Sequence, residues 1–213
     1  MLQIRWHGHS CFEITNELTL VTDPHDGKSI GIPTPSVEGD IILVSHDHYD
    51  HNSGIKTVEK EGSKVVTDGR KRNISNIEIF GVESFHDENH GAKRGSNIMF
   101  KFSMDGIRFC HLGDLGHELD DGTVERIGEV DILFIPVGGT FTVDDRQAWK
   151  VINKIKPKII IPMHYKIGGL SLPIAGLDSF LEPAKHKVIY VGNEIDIERE
   201  DLPTEPEIWT FTL

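Results

Sequence analysis

Short apolar runs recur along this chain, and most of them stop at a histidine or an aspartate. LTLVT at 18–22 ends at Asp23, DIILVS at 40–45 ends at His46, and IEIFGVESF at 77–85 ends at His86. IRFC at 107–110 leads into His111 and Asp114, and KIIIPM at 158–163 ends at His164. Such runs, rich in β-branched residues and bounded by Gly, Pro or Asp, read as buried strands. Ligand sites in α/β proteins gather at the carboxyl ends of strands, where loops on a rigid base present side chains. The repeated placement therefore reads as one assembled site.

The remaining elements suggest how such a sheet is wound. DILFIPV at 131–137 is followed by Gly138-Gly139-Thr140 and then by DDRQAWKVINKI at 144–155. That segment carries Ala148, Val151, Ile152 and Ile155 at helical spacing, with Asp144 as an N-cap. Strand, helix and strand between 131 and 163 predict a right-handed βαβ unit. KFSMDGIRF at 101–109 predicts a hairpin turning at Asp105-Gly106. Further helices are expected over 53–60, 121–128 and 177–182. The mixture predicts an α/β layered architecture with mixed sheets, and 213 residues without repeat or linker predict a single domain over 1–213.

Composition narrows the function classes. With 38% apolar and 26% charged residues, the chain is an ordinary globular one. No window approaches the ~20 apolar residues of a membrane-spanning helix, and the N-terminus lacks a signal-peptide pattern. Cys11 and Cys110 are too few for a disulfide framework, so reduced, buried thiols and a cytoplasmic location are expected. A net charge of -12 argues against nucleic-acid and anionic-membrane partners, which bind basic patches. A small-molecule substrate is the expected partner, and a homo-oligomer is compatible with the sequence.

The densest chemistry is HDHYDH at 46–51. His46 and His48, two apart in extended or turn geometry, can point the same way and grip one cation. Asp50 and His51 fall on the far side of the turn, suited to a second. A pattern H-x-H-x-D-H after a buried strand resembles the signature of the metallo-β-lactamase-fold hydrolases. That resemblance implies a four-layer αβ/βα sandwich of two mixed β-sheets with metals at one edge. It extends over nearly the whole chain. Asp23 in TDP matches an aspartate that usually supports a ligand, His86 in ESFH the third histidine, Asp114 in HLGD the bridging carboxylate, and His164 in IPMHY the last histidine.

By resemblance, His46, His48 and His86 would hold a first metal ion. Asp50, His51 and His164 would hold a second, with Asp114 between them. Nitrogen-rich ligands with a shared carboxylate suit Zn²⁺ first, and Mn²⁺ or Fe also, rather than Mg²⁺ or Ca²⁺. WHGHSCF, TDP, SHDHYDH, HLGD, PVGGTFT and PMHY also stand in the order seen in the ascorbate-6-phosphate lactonase-like and N-acyl-phosphatidylethanolamine phospholipase D-like branch. The chain looks most similar to that branch's small prokaryotic members.

Other residues carry two readings each. His9 either lines the cleft as a proton donor or support for a ligand, or belongs to an N-terminal turn; His7 reads as structural. His90 is a rival of His86 as ligand, and a substrate contact otherwise. His111 reads as a support for Asp114 or as strand packing, and His25, His117 and His186 as solvated loop residues. Gly138-Gly139-Thr140 either offers donors to an anionic substrate or is a tight turn. Tyr165 and Lys166 follow a ligand and could meet a leaving group.

The expected activity is binuclear metal-dependent hydrolysis, with Asp50 orienting a metal-bridging hydroxide and His9 assisting. A phosphodiester, a phosphorylated lactone or a related ester, anionic in each of the first two cases, is the substrate class that the resemblance implies. The alternative is a non-hydrolytic or redox metal-binding protein on the same fold.

Overall fold

The computed structural model describes residues 1–213. In chain order the strands are β1 (Leu2–Trp6), β2 (Phe12–Thr15), β3 (Thr19–Thr22), β4 (Gly39–Leu43), β5 (Glu59–Val66), β6 (Arg72–Ile74) and β7 (Ile77–Phe85). They continue as β8 (Ser96–Met104), β9 (Ile107–His111), β10 (Ile132–Pro136), β11 (Ile159–Met163), β12 (Lys187–Gly192), β13 (Glu194–Ile197) and β14 (Glu207–Phe211). The helices are α1 (Tyr49–Asn52), α2 (Ile55–Val58), α3 (Asp121–Ile127), α4 (Asp145–Ile155) and α5 (Asp178–Leu181).

Two mixed sheets result. One has six strands in the order β13-β1-β2-β3-β4-β5, the other eight in the order β12-β14-β11-β10-β9-β8-β7-β6. Alternation of side chains along a strand explains the layering. On β3 and β4, Leu20, Ile41 and Leu43 enter the large core shared with Phe100, Phe109 and Ile132 of the other sheet. Their neighbours Val21 and Ile42 face the opposite side, where Val58 and Ile55 of α2 cover them. The second sheet is buried on both faces along β10 and β11, with Val151 and Ile152 of α4 and Phe180 of α5 in the same core. The expected two-sheet sandwich flanked by helices is present.

The sheets are riveted by aromatics: the Phe12 ring lies 4.5 Å from that of Phe134, and Phe134 stacks in turn on Phe109. The βαβ unit is β10-α4-β11, with its two strands parallel neighbours. Asp144 and Gln147 form a reciprocal capping box that starts α4. The hairpin β8-β9 turns at Asp105 and Gly106, whose φ values of 48° and 75° are those of a primed turn.

One expected helix is cut short. The segment 53–60 is helical only over Ile55–Val58, after which Glu59–Val66 is an edge strand whose residues are mostly exposed. Its sequence EKEGSKVV is too polar to show a buried-strand pattern, and the charges guard an open sheet edge. No helix is long and apolar enough to cross a membrane.

Candidate metal centre

The pairing pattern dictates where the chemistry collects. β1 and β3 are each antiparallel to β2, and β3 is parallel to β4. β7 and β9 are each antiparallel to β8, and β9, β10 and β11 run parallel. Within each sheet, then, the strands preceding the candidate residues run in one direction. His9 follows β1, Asp23 follows β3, and His46 to His51 follow β4. His86, Asp114 and His164 follow β7, β9 and β11. All meet at one edge of the sandwich.

Asp114 is the meeting point. Its Oδ2 lies 3.1 Å from Nε2 of His86, 3.3 Å from Nε2 of His164 and 3.7 Å from Nε2 of His46. Its Oδ1 lies 3.2 Å from Nε2 of His51. The ligand atoms of His46, His48 and His86 all fall within 4.8 Å of one another, as do those of Asp50, His51, His164 and His9. Asp114 joins His46 of the first group to His51 of the second within the same limit.

Support beneath two of the candidate ligands fixes which nitrogen His46 and His51 offer. Asp23 Oδ1 accepts the backbone N–H of Ser45 at 2.7 Å, and Oδ2 accepts the Ser45 hydroxyl at 2.7 Å. Nδ1 of His51 donates to the same Oδ2 at 3.0 Å. Because the Ser45 hydroxyl spends its proton on Asp23, its oxygen accepts from Nδ1 of His46 at 2.9 Å. Both imidazoles thereby keep Nε2 as a lone-pair donor turned toward Asp114, an arrangement common behind metal-ligating histidines.

A second device holds Asp114. Asn97 Oδ1 accepts the Asp114 N–H at 2.9 Å, and Asn97 Nδ2 donates to the Leu112 carbonyl and the Ser84 hydroxyl. Gly113 between them has φ +55°, and a Cβ there would stand 2.4 Å from Asn97 Oδ1 and 2.5 Å from Ser45 Cβ. His9, Asp23 and His164 also adopt left-handed backbone, with φ of 55°, 39° and 53°. Non-glycine residues accept that conformation where the surroundings over-determine it, and such positions cluster at functional sites.

The electrostatics follow from burial. Burial would raise the carboxyl of Asp114, but the His164 and His51 rings outweigh it and hold the group well below its usual range. Burial and neighbouring His51 push His46 down to about 3, and burial with His164 pushes His9 down to about 3. His51 goes the other way: burial disfavours its charge, yet Asp114, Asp50 and Asp23 together raise it.

The donor set fits cations. Nε2 of His46, Nε2 of His51, both ring nitrogens of His164 and Oδ1 of Asp114 are buried without a hydrogen-bond partner. A buried polar atom left so costs about 1–3 kcal/mol, and four of them, the three Nε2 atoms and Asp114 Oδ1, gathered at one place would be hard to tolerate unless a cation took them up.

The structure separates the remaining candidates. His9 is fully buried, with Nε2 3.1 Å from Asp50 Oδ2, so it lies behind Asp50 instead of lining the cleft. His90 is exposed and packs edge-on against Phe85. Thr140 lines a hollow beside the cleft, and its hydroxyl donates to the Pro173 carbonyl. Tyr165 is turned into the core, where its hydroxyl donates to the Phe211 carbonyl and its ring stacks on Trp6. His111 donates from Nε2 to the Ser10 carbonyl and accepts the Gly113 N–H on Nδ1, supporting the turn and not the carboxylate. His25 is not a solvated loop residue: it is fully buried, hydrogen-bonded to the His7 carbonyl. Cys11 and Cys110 are buried free thiols, and burial pushes Cys110 up to about 12.

Ser45, Asn97 and Asp87 have no counterpart in the sequence reading. Asp87 is buried beside His86, and both its oxygens accept backbone N–H groups of the 89–94 loop.

Known proteins resemble this chain over most of its length. Residues 3–164 match the beta-lactamase superfamily domain. A UPF0173 metal-dependent hydrolase of Thermoplasma acidophilum is 28% identical over 187 residues, spanning 77% of this chain and 83% of its own length. Another from Nanoarchaeum equitans is 31% identical over 194 residues, spanning 77% and 84%. Among solved structures, a candidate zinc-dependent hydrolase of the metallo-β-lactamase superfamily from Thermotoga maritima is 36% identical, with a TM-score of 0.82 over 99% of this chain and 98% of the other.

Proposed function

The chain belongs to the metallo-β-lactamase superfamily, and on that premise we propose that it is a metal-dependent hydrolase with a binuclear centre. The observation that carries the reading is the convergence of four histidine Nε2 atoms on Asp114, with separate groups of ligand atoms on either side. His46, His48 and His86 would hold one cation and Asp50, His51 and His164 the other, with Asp114 shared. The His-rich set favours Zn²⁺, with Mn²⁺ or Fe also suited. When bound, such cations supply a water acidified to near neutrality and Lewis-acid stabilisation of developing negative charge.

The chain's own residues do the positioning. Asp50 lines the cleft, where it can orient a water or accept its proton. His9, neutral and buried, donates from Nε2 to Asp50 Oδ2 and sets the direction of that carboxylate. Asp23, through Ser45 and His51, holds two imidazoles in one tautomer. His90, Thr140 and Tyr165 are not among the residues that line the cleft, and the cleft wall is the first place to seek substrate contacts.

Ester chemistry at phosphorus or at an acyl carbon is the reaction class, with a phosphodiester or phosphorylated lactone as the first substrates to try. The test is a screen of the purified chain, supplied with Zn²⁺ or Mn²⁺, against an aryl phosphodiester, lactones and thioesters. Hydrolysis that disappears with a chelator and in Asp114→Ala supports the reading. Tight metal binding with no turnover across the screen would favour a non-hydrolytic metal protein instead.

A further inference from the structure

The cleft over the ligands, about 280 Å³ in volume, is lined by His48, Asp50, His86 and Asp114, but also by Lys93 and Arg94. A second hollow of about 170 Å³ shares His86, Lys93, Arg94 and Phe141 with it. The two cationic side chains therefore stand in a wall common to both spaces.

Their loop is built to hold them there. Asp87 Oδ1 accepts the N–H groups of Asn89 at 2.7 Å and Gly91 at 3.1 Å. Oδ2 accepts those of Lys93 at 2.9 Å and Arg94 at 2.8 Å. The Asp87 carboxylate is thus spent on the backbone of the two cations, and it leaves their side chains unneutralised. Several cations elsewhere are neutralised by carboxylates, among them Lys60 by Asp40, Arg108 by Asp131, Lys150 by Glu118 and Lys154 by Asp121. Lys93 and Arg94 join no ion pair, although the chain carries a net charge of -12. Glu88, which also lines the second hollow, is turned to Gln147 at 2.6 Å. The Arg94 guanidinium sits 5.3 Å from the centre of the Phe141 ring, a cation–π contact that steadies it without cancelling its charge.

We propose that Lys93 and Arg94 form an oxyanion subsite that binds a carboxylate or phosphoryl group carried by the substrate away from the bond that is cut. The inference rests on the hydrolase reading of the adjoining centre and adds to it the part that selects the substrate. A guanidinium fork with an ammonium beside it matches the oxygens of such a group. Asp87 acts as a positioning residue through the loop backbone.

The test uses the full metal-loaded chain and p-nitrophenyl esters of one acyl length that end in a methyl, a carboxylate or a phosphonate group. Wild type is expected to prefer a charged end, and the two charged esters show which oxyanion fits better. Lys93→Ala and Arg94→Ala should each lower the charged-to-methyl ratio of kcat/KM by about tenfold or more, chiefly through KM. Arg94→Lys should lose less than Arg94→Ala, and Asp87→Asn should lower the ratio although it removes no cation. Arg70→Ala, which removes an exposed cation outside the cleft, should leave the ratio unchanged. A ratio kept within about twofold in both alanine variants, or an equal loss on the methyl ester, overturns the subsite. If wild type holds metal and cuts none of these esters, the acyl-ester form of the hydrolase reading fails, and calorimetric binding of phosphonoacetate then decides the subsite alone. Binding weakened about tenfold in Arg94→Ala supports it, and equal binding overturns it.

Discussion

Nδ1 of His51 lies 3.0 Å from Oδ2 of Asp23, and this contact settles which face of the imidazole is left for chemistry. The other nitrogen, 3.2 Å from Asp114, reaches from the six-stranded sheet to a carboxylate that follows β9 of the eight-stranded one. One ring thus ties the two halves of the site together. Its tautomer depends on an aspartate that touches no substrate.

Asp23→Asn keeps the shape of that support but weakens it as an acceptor for Ser45 and His51. Loss of such a partner typically weakens metal affinity about 10–100-fold. Competition with a chromophoric chelator should show a loss in that range, and wild-type affinity would mean that Asp23 does not set the tautomers.

Gly113→Ala should destabilise the fold, because the new Cβ would press on Asn97 and Ser45 in a left-handed backbone. Strain of that kind costs about 1–3 kcal/mol before any shift of Asp114 is counted. Urea unfolding should register it together with reduced metal content; a variant as stable as wild type would contradict the packing described for this turn.

His9→Ala tests whether His9 aims Asp50 or binds a cation itself. With His9 as the residue behind Asp50, kcat should fall by about 10–100-fold while the full complement of metal is retained. Loss of one cation from the variant would make His9 a ligand.

Asp131 provides a pH prediction away from the metal centre. Burial would raise its carboxyl, but Arg108 bonds it through the side chain at 2.8 Å and 2.9 Å and through the backbone at 3.0 Å, and holds it down at about 2, from 3.8. A folded-state value below the unfolded one means stability that is present above pH 3.8 and lost as pH falls toward 2. The shift corresponds to about 2 kcal/mol. Asp131→Asn should therefore cost about that much in urea unfolding at neutral pH, with the difference from wild type shrinking below pH 3.8. A gap that stays constant with pH would contradict the assignment.

How far the sequence revealed this arrangement depends on what each residue's neighbours advertise. β4, β7, β9 and β11 were legible because each is an apolar run with a histidine or aspartate at its end, and β10 because its apolar run stops at Gly138-Gly139. β5, β6 and β13 lie at sheet edges and are polar or short, so periodicity had little to register, while β12, the apolar run KVIYVG, ends at no histidine or aspartate to mark it. The candidate ligands are conspicuous residue types at conspicuous places. Their supports are not: Asn97 starts no pattern, and Ser45 passes as the last residue of a strand. Lys93 and Arg94 read as ordinary loop cations until Asp87 is seen folding the loop beneath them. Tyr165 shows the opposite error, since adjacency to His164 in sequence says nothing of the direction its ring takes.

Elemental analysis of the purified, metal-reconstituted chain tests most directly whether a pair of cations is shared through Asp114. Two equivalents per chain are expected for wild type and about one or fewer for both His86→Ala and Asp114→Ala. A wild-type chain that binds no transition metal, or a single ion that survives both substitutions, would contradict the account.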